Sequence, residues 1–442
     1  AVAQIVERHE SLRTSFIEYE GEPVQVIESG DGWSLTVEDL TGVPPALREA
    51  ALQEQMTAAA RVPFDLRRGP LLRVHAYRLG AAGADGGEAQ FGLLFVVHHL
   101  VFDGWSMITF FHELAALYTA LREERPVSLP QLPLQYADYA AWQQRIIEHP
   151  ALLRQGDYWR EHLAGAPALS AFPTDRPRPA LIGTLAEYHG FDLGSQAAAL
   201  TRYSRERAVS LFMTCFAAYQ VLLHYLTGAS DLVVGADIAG RNRRDIEPLI
   251  GFFINLLPLR SHVDADCSFD ELVRQVRDAT LAAYAHQDLP FDRVLELARP
   301  ERIPGAAPLF QVKLVFHNIP FGNLGLPGLR FEALAIETGR TELDLVLHIH
   351  QQGEGLQAVF EYRTDLFDAA SIARFAGLYG ALLEQALSRP ELTLSELNGL
   401  LAEQERQRGE AARMRRRSAD LGRLADRRGK RHSRHAGGGT ER

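Results

Sequence analysis

The chain has 442 residues, more than one ordinary hydrophobic core accommodates, so two lobes are expected. Its 46% hydrophobic and 23% charged residues exclude an extensively disordered chain. The formal net charge of −10 is unevenly held: residues 413–434 carry ten Lys/Arg against two Asp, a local +8 that leaves −18 elsewhere, which argues against nucleic acid as a partner of the body.

Only two cysteines occur, Cys215 and Cys267, without metal or redox spacing, as expected of a reduced, cytoplasmic protein. The longest apolar runs, residues 210–228 and 249–260, are interrupted by polar groups or too short to cross a bilayer, so no membrane partner is expected. The sequence begins at Ala1 without the basic start or apolar centre of a signal peptide, and further N-terminal residues are expected upstream.

In chain order, residues 11–27 alternate around Gly-Glu-Pro and read as two strands, and residues 44–62 have helical spacing. Residues 70–79 and 91–100 read as antiparallel strands flanking a Gly/Ala-rich loop, and an amphipathic helix is expected from Ser106 as N-cap. Residues 172–183 concentrate Pro173, Pro177, Pro179 and Gly183 and read as an interlobe linker. The expected division is therefore an N-terminal lobe over 1–171, the linker over 172–183, a second lobe over 184–402 and a basic tail over 403–442.

After the linker the pattern predicts a strand at 187–193, a long apolar helix from Ser210 and a strand at 231–240. The apolar segment 249–260, a helix at 268–287, two or three strands from Phe310 and a closing helix from Ala369 follow. The fold class is α/β (α+β).

The apolar run from Phe91 ends in His98-His99, with Asp103-Gly104 just beyond. On a regular strand adjacent side chains face opposite sides, so one histidine reaches a cleft while the other supports packing behind it. That geometry argues against a metal pair, and no metal ligands are assigned. A neutral imidazole suits proton transfer near pH 7, but taken alone a histidine at a strand end is more often a satisfied structural group. Asp103 can anchor an arginine or fix the loop, and Gly104 permits a tight turn.

Residues 98–106, His-His-Leu-Val-Phe-Asp-Gly-Trp-Ser, resemble the His-His-x-x-x-Asp-Gly motif of condensation domains from nonribosomal peptide synthetases. Residues 8–16 (RHESLRTSF), 63–73 (PFDLRRGPLLR), 136–143 (YADYAAWQ), 250–260 (IGFFINLLPLR), 286–296 (HQDLPFDRVLE), 308–312 (PLFQV) and 361–368 (EYRTDLFD) are similar to further family segments, in the family's order. The resemblance spans roughly residues 2–400.

It implies two chloramphenicol-acetyltransferase-like lobes arranged as a V, with the active site between them. The implied reaction is attack by an acceptor amine on a carrier-bound acyl thioester, forming an amide. Donor and acceptor carrier proteins would be the partners, supplying substrates on phosphopantetheine arms, with adenylation or polyketide synthase modules as neighbours and no cofactor held by the domain itself. His99 is implied as general base or as hydrogen-bond partner of the tetrahedral intermediate. Asp103 is implied as structural, with Arg241 its candidate partner, and the Gly104 amide as a neighbour of the oxyanion. His98, Trp105 and Ser106 support the motif. Tyr136 and Asn255 are substrate-tunnel candidates; a core role for Trp105, Tyr136 and Trp142, and a backbone-capping role for Asn255, are the plainer readings.

Several positions depart from the family pattern. Residues 302–309 lack the Asp, Ser and second Arg of a family loop, Glu342 stands where many members carry Lys, and the family's opening segment is absent. The intact His-His motif argues against heterocyclisation, and Met107 after Ser106 argues against epimerisation. With no adenylation or carrier segment following, a free-standing or C-terminal domain is expected, its basic tail available to steer an acidic carrier or simply solvated. Acyl transfer to a free alcohol or amine, including from coenzyme A, and non-catalytic recruitment are the alternatives.

Overall fold

The computed structural model describes residues 1–80, 89–127, 129–170, 172–317, 326–332, 334, 336, 338–353, 355–410 and 413. The expected basic tail therefore lies almost wholly outside the described residues.

In chain order the elements are α1 (Val2–Arg8), β1 (Thr14–Tyr19), β2 (Glu22–Ile27), β3 (Leu35–Asp39), α2 (Arg48–Arg61), β4 (Leu72–Gly80) and β5 (Gln90–Val97). There follow α3 (Gly104–Arg122), α4 (Tyr136–Ile146), α5 (Pro150–His162), β6 (Ala186–Asp192), α6 (Gly194–Glu206), α7 (Leu211–Thr227), β7 (Asp231–Ile238) and β8 (Asn255–His262). The last are α8 (Phe269–Ala285), α9 (Phe291–Ala298), β9 (Val312–His317), β10 (Leu345–Gln352), β11 (Gly355–Arg363) and α10 (Ala369–Ser388), before a helix over 394–410. Between α5 and β6 the described residues form neither helix nor strand, and the 394–410 helix runs through position 402.

Local chemistry explains the elements. The β1–β2 hairpin closes through Glu20 and Gly21, both at positive φ, the backbone sense that matches the twist of paired strands. The α7 helix starts where the Ser210 hydroxyl accepts the Met213 amide and stops at Gly228 with φ 70°. It is buried on nearly every side, so its sequence is apolar without a polar stripe. In α8, Ser268 and Glu271 form a reciprocal capping box.

A six-stranded sheet has the order β6-β11-β10-β9-β7-β8, in which β7, β9 and β10 run parallel and the other neighbours antiparallel. One face packs on α6, α7, α8 and α10 in the largest core. The N-terminal half holds the three-stranded sheet β3-β4-β5, with α1 and α3 against one part of it and α2 against another.

The chain between β7 and β8 leaves the large sheet. Ile250 enters the N-terminal core beside Leu12 and Phe110, while Ile246, Leu249 and Phe253 pack beside Tyr136 and Tyr139 of α4. This crossing segment positions the candidate site. Among the described residues no single helix is long and apolar enough to cross a membrane.

Two expectations are corrected. The β5 strand ends at Val97, and His98 already caps a short 3-10 turn over His99–Val101, so the histidines do not alternate on a strand. The N-cap of α3 is Asp103, not Ser106. Ser106 sits inside the first turn, where its amide donates to Asp103 Oδ1 at 2.7 Å.

Candidate active site

The motif turn is built around Asp103. Its Oδ1 accepts from the Ser106 amide, the Ser106 hydroxyl at 2.8 Å and Arg241 Nη2 at 3.0 Å; Oδ2 accepts from the Phe253 amide at 3.0 Å. Three of these contacts fall on Oδ1 and one on Oδ2, so both oxygens of the carboxylate are committed to internal donors. Both charged side chains of the Asp103–Arg241 pair are almost fully buried, at 2% and 1% exposure. Taking both charges from water is costly, and the hydrogen bonds around them offset the cost.

Arg241 is a hub in turn. Its Nη1 donates to the carbonyls of Ile246 at 2.7 Å and Leu249 at 2.8 Å, and its guanidinium stacks over the Phe253 ring at 4.1 Å. Burial pulls its pKa down while Asp103 pushes it back up. Gly240, just before it, has φ 64°, and a Cβ there would stand 2.0 Å from the Phe253 carbonyl oxygen, so this close approach requires glycine.

The crossing segment is fastened to the N-terminal half at successive residues. Ser11 donates to the Ile250 carbonyl at 2.7 Å, and the Ser106 hydroxyl accepts from the Gly251 amide at 3.0 Å. That hydroxyl has one proton to share between Asp103 and the Gly251 carbonyl at 2.9 Å. Tyr136 donates to the Phe252 carbonyl at 2.9 Å, and Trp105 Nε1 to the Glu247 carbonyl at 3.0 Å. Behind Ile250, buried His9 shares a 2.9 Å hydrogen bond with Glu113 of α3, which Arg8 also engages. Burial alone would raise the Glu113 pKa, but its bonds and charge contacts to His9 and Arg8 lower it.

The two histidines are differently placed. His98 Nδ1 accepts from the Leu100 amide at 3.1 Å, and its amide donates to the Leu71 carbonyl at 3.0 Å, which ties the turn to β4. Burial first, then the neighbouring His99, lowers its pKa. His99 is exposed. Its ring meets Phe252 edge-on, with centroids 5.1 Å apart, and no polar partner engages its side chain among the described residues. One imidazole is committed to structure while the other is open to an incoming molecule.

The remaining candidates fall as follows. Gly104 opens α3 and is absent from the positive-φ residues, so it makes an ordinary helix start rather than a left-handed turn. Trp105 and Trp142 are not core aromatics, being 39% and 37% exposed; Trp142 lies beneath the Arg243 guanidinium at 4.6 Å. Tyr136 is partly buried, and desolvation raises its hydroxyl pKa. The Asn255 side chain donates to the Gln287 and Leu289 carbonyls and accepts from the Leu256 and Phe291 amides. Its two donors and two acceptor sites are thus all used, which favours a backbone clamp over a tunnel-lining contact.

Sequence reasoning missed Phe252 as the neighbour of His99, and missed His9 and Ser11 as anchors of Ile250. All three lie in segments that carried the family resemblance, but only long-range pairing information could have joined them.

A family model described as "Condensation domain" matches residues 1–408. A linear gramicidin synthase subunit from Brevibacillus parabrevis is 42% identical over 405 residues, covering 91% of this chain and 5% of the relative. Bacitracin synthase 3 of Bacillus licheniformis is 35% identical over 405 residues, again 91% of this chain and 6% of the relative. The X-domain from teicoplanin biosynthesis superposes with a TM-score of 0.79 at 29% identity, covering 89% of this chain and 87% of that one. The chain belongs to the condensation-domain family of nonribosomal peptide synthetases, and it spans only a small fraction of the curated synthetases it matches.

Proposed function

We propose that this domain joins two carrier-bound substrates through an amide bond. The acceptor amine attacks the donor thioester carbonyl; a C–N bond forms, the C–S bond breaks, and the amine proton ends on the departing thiol. The observation that carries the reading is the contrast between His99 and Asp103. His99 presents an exposed imidazole without an internal polar partner among the described residues, whereas both oxygens of buried Asp103 are engaged by internal donors.

On this reading His99 is the catalytic residue, as proton acceptor from the attacking nitrogen or hydrogen-bond partner of the tetrahedral intermediate. Asp103, Ser106 and Arg241 are positioning residues that hold the turn on which His99 stands. The Gly104 amide, at the start of α3, is available to a developing oxyanion. His98 and Trp105 fix the turn from behind, and Tyr136 holds the segment that carries Phe252.

The same reading divides the chain at residues 172–183 into two lobes, with donor and acceptor carriers approaching a site between them in the cytoplasm. Phosphopantetheine belongs to those carriers as part of the substrates, and the domain supplies no cofactor of its own.

Incubating the folded domain with acyl-loaded and amine-loaded carriers, and weighing the intact carriers, tests this. An amide product on the acceptor, slowed by about 10²–10⁴ in His99→Ala, is expected. A folded domain that leaves every loaded carrier unchanged refutes it.

One observation favours a second reading. A solved complex of the X-domain and OxyB from teicoplanin biosynthesis matches with a TM-score of 0.77 at 30% identity, so recruitment of another protein suits this fold. Capture of a partner by the inactive wild type would support it.

A further inference from the structure

Three side chains are layered behind the motif turn: Arg73 of β4, Phe64 of the stretch between α2 and β4, and His98. The Arg73 guanidinium lies over the Phe64 ring, 4.1 Å from its centroid. The Phe64 ring in turn meets the His98 imidazole at 82°, with centroids 5.9 Å apart. A cation on an aromatic face and an edge-to-face ring pair are both attractive geometries.

The backbone brings the three together. Arg73 pairs with Val96 of β5, so the two share a face of the small sheet. His98 stands two residues past Val96 with extended backbone, φ −73° and ψ 134°, and its side chain leaves on that same face. Pro63 favours an extended Val62, which ends α2 just before Phe64. Phe64 is then anchored on both sides. Arg73 Nη2 donates to the Val62 carbonyl, and the Phe16 amide of β1 donates to the Leu66 carbonyl at 2.8 Å.

Arg73 differs from a solvated surface arginine. No carboxylate pairs with it among the described residues, its Nε is buried without a hydrogen-bond partner, and burial lowers its pKa. A guanidinium so placed is costly to desolvate, and the Phe64 ring and Val62 carbonyl offset that cost. Lysine has no plane to lay on the ring and would not replace it.

The His98 ring has one tautomer and one orientation that serve the turn. Its Nδ1 accepts the Leu100 amide at 3.1 Å, so that nitrogen carries no proton and the neutral ring holds its proton on Nε2. Turned over about its Cβ–Cγ bond, the ring would present a C–H to the amide and the cap would be lost. His99 is the first residue of the 3-10 turn that this bond caps. The orientation of His98 is thereby coupled to the placement of His99.

We propose that Phe64 and Arg73 are positioning residues for the reaction at His99: Phe64 holds the His98 ring with Nδ1 on the Leu100 amide, and Arg73 holds Phe64. The proposal rests on the condensation reading for the reaction, whereas the effect on His98 does not need it. Without Phe64 the imidazole turns over, the turn loosens, and His99 is less often in line with the attacking nitrogen. The loss then falls on the rate rather than on carrier affinity.

Imidazole nitrogen signals of the isotopically labelled domain, recorded beside amide-forming rates with loaded carriers, test this. In the wild type His98 is expected to show an unprotonated Nδ1 and a protonated Nε2. Phe64→Leu should mix the two tautomers and speed hydrogen exchange of the Leu100 amide by about tenfold. It should also lower kcat by about tenfold while KM for either carrier moves by less than about twofold. Arg73→Met, which keeps the stem and removes the stacked cation, should change both readouts in the same direction and lower kcat by about threefold. Phe64→Tyr keeps the ring and should keep the wild-type signals and rate.

Unchanged His98 signals in folded Phe64→Leu and Arg73→Met, a loss confined to KM, or a Phe64→Tyr protein as slow as Phe64→Leu overturns the proposal. If Phe64→Leu does not fold, wild-type signals and rate in Arg73→Met overturn it alone. Altered His98 signals in the variants, with no amide formed even by the wild type, would sink the condensation reading and leave the stack standing. Wild-type turnover with kcat unchanged in the variants would do the reverse.

Discussion

Arg241 Nη2 meets Asp103 Oδ1 at 3.0 Å across 138 residues of chain, and neither side chain is open to solvent. The contact joins the end of a strand in the large sheet to the cap of α3. Removing one partner strands a buried charge, so Asp103→Ala or Arg241→Ala should each destabilise the fold by about 3–5 kcal/mol in urea unfolding. An Asp103→Asn variant should lose less stability, because the side-chain shape remains. Single variants as stable as the wild type would remove the pair from its structural role.

The two motif histidines should separate stability from activity. His99→Ala changes an exposed residue, and its urea midpoint should stay close to that of the wild type while amide formation collapses. His98→Ala loses the acceptor of the Leu100 amide and should destabilise by about 1 kcal/mol. Equal losses of activity without a stability change in His98→Ala would contradict this division.

Phe252 touches the His99 ring and is fixed through its carbonyl by Tyr136. Phe252→Ala frees the imidazole to rotate and should lower kcat by about tenfold with a smaller effect on KM, because orientation is lost rather than binding. Phe252→Tyr keeps the ring and should restore most of the rate. A KM-only effect would instead place Phe252 among binding contacts.

Asn255 clamps four backbone groups at the start of β8, the Gln287–Leu289 turn and α9. Replacing it with alanine strands buried donors and acceptors together and should destabilise the domain by about 2–4 kcal/mol. Thermal unfolding measures this directly. A stability within experimental error of the wild type would show that water replaces the clamp.

His317 gives a pH dependence whose sign is fixed. Its pKa falls from 6.5 to about 3 on folding, so below pH 6.5 the unfolded chain binds a proton that the folded chain refuses. Stability from this group is complete above pH 6.5 and declines by about 1.4 kcal/mol per unit as pH falls toward 3. Between pH 7 and pH 5 the wild type should lose about 2 kcal/mol more than His317→Asn, measured by urea unfolding at both values. Parallel losses in the two proteins would refute it.

The sequence made the elements legible wherever local pattern and packing agree. The β1–β2 hairpin, the β4–β5 pair, α7 from Ser210 and three strands from Phe310 onward all lie where alternation and caps place them. The end of β5 is hidden from sequence because apolar residues continue through Leu100 to Phe102, whereas the backbone already turns at His98. Ser106 looks like a cap in isolation, yet Asp103 outcompetes it by offering two oxygens to groups from both halves of the molecule. Trp105 and Trp142 are large enough to suggest a core, but one donates to the Glu247 carbonyl and the other lies beneath a guanidinium near the surface. The motif residues and the pairing of Asp103 with Arg241 were visible through the family resemblance; the bonds that Ser11, Ser106 and Tyr136 make to residues 250–252 were not, because hydrogen bonds spanning more than a hundred residues leave no local period.

The fastening of residues 250–253 also limits how such a domain can be recombined. A chimera joined anywhere between residues 107 and 240 takes Ser11, Asp103 and Ser106 from one parent and Arg241, Gly251 and Phe253 from another. The contacts at this seam use backbone carbonyls and amides as much as side chains, so identical motif residues do not ensure matching bond lengths. Exchanges that carry both sides of the seam as a unit should retain a well-formed His99 turn, while those that split it must rebuild a buried ion pair at the join.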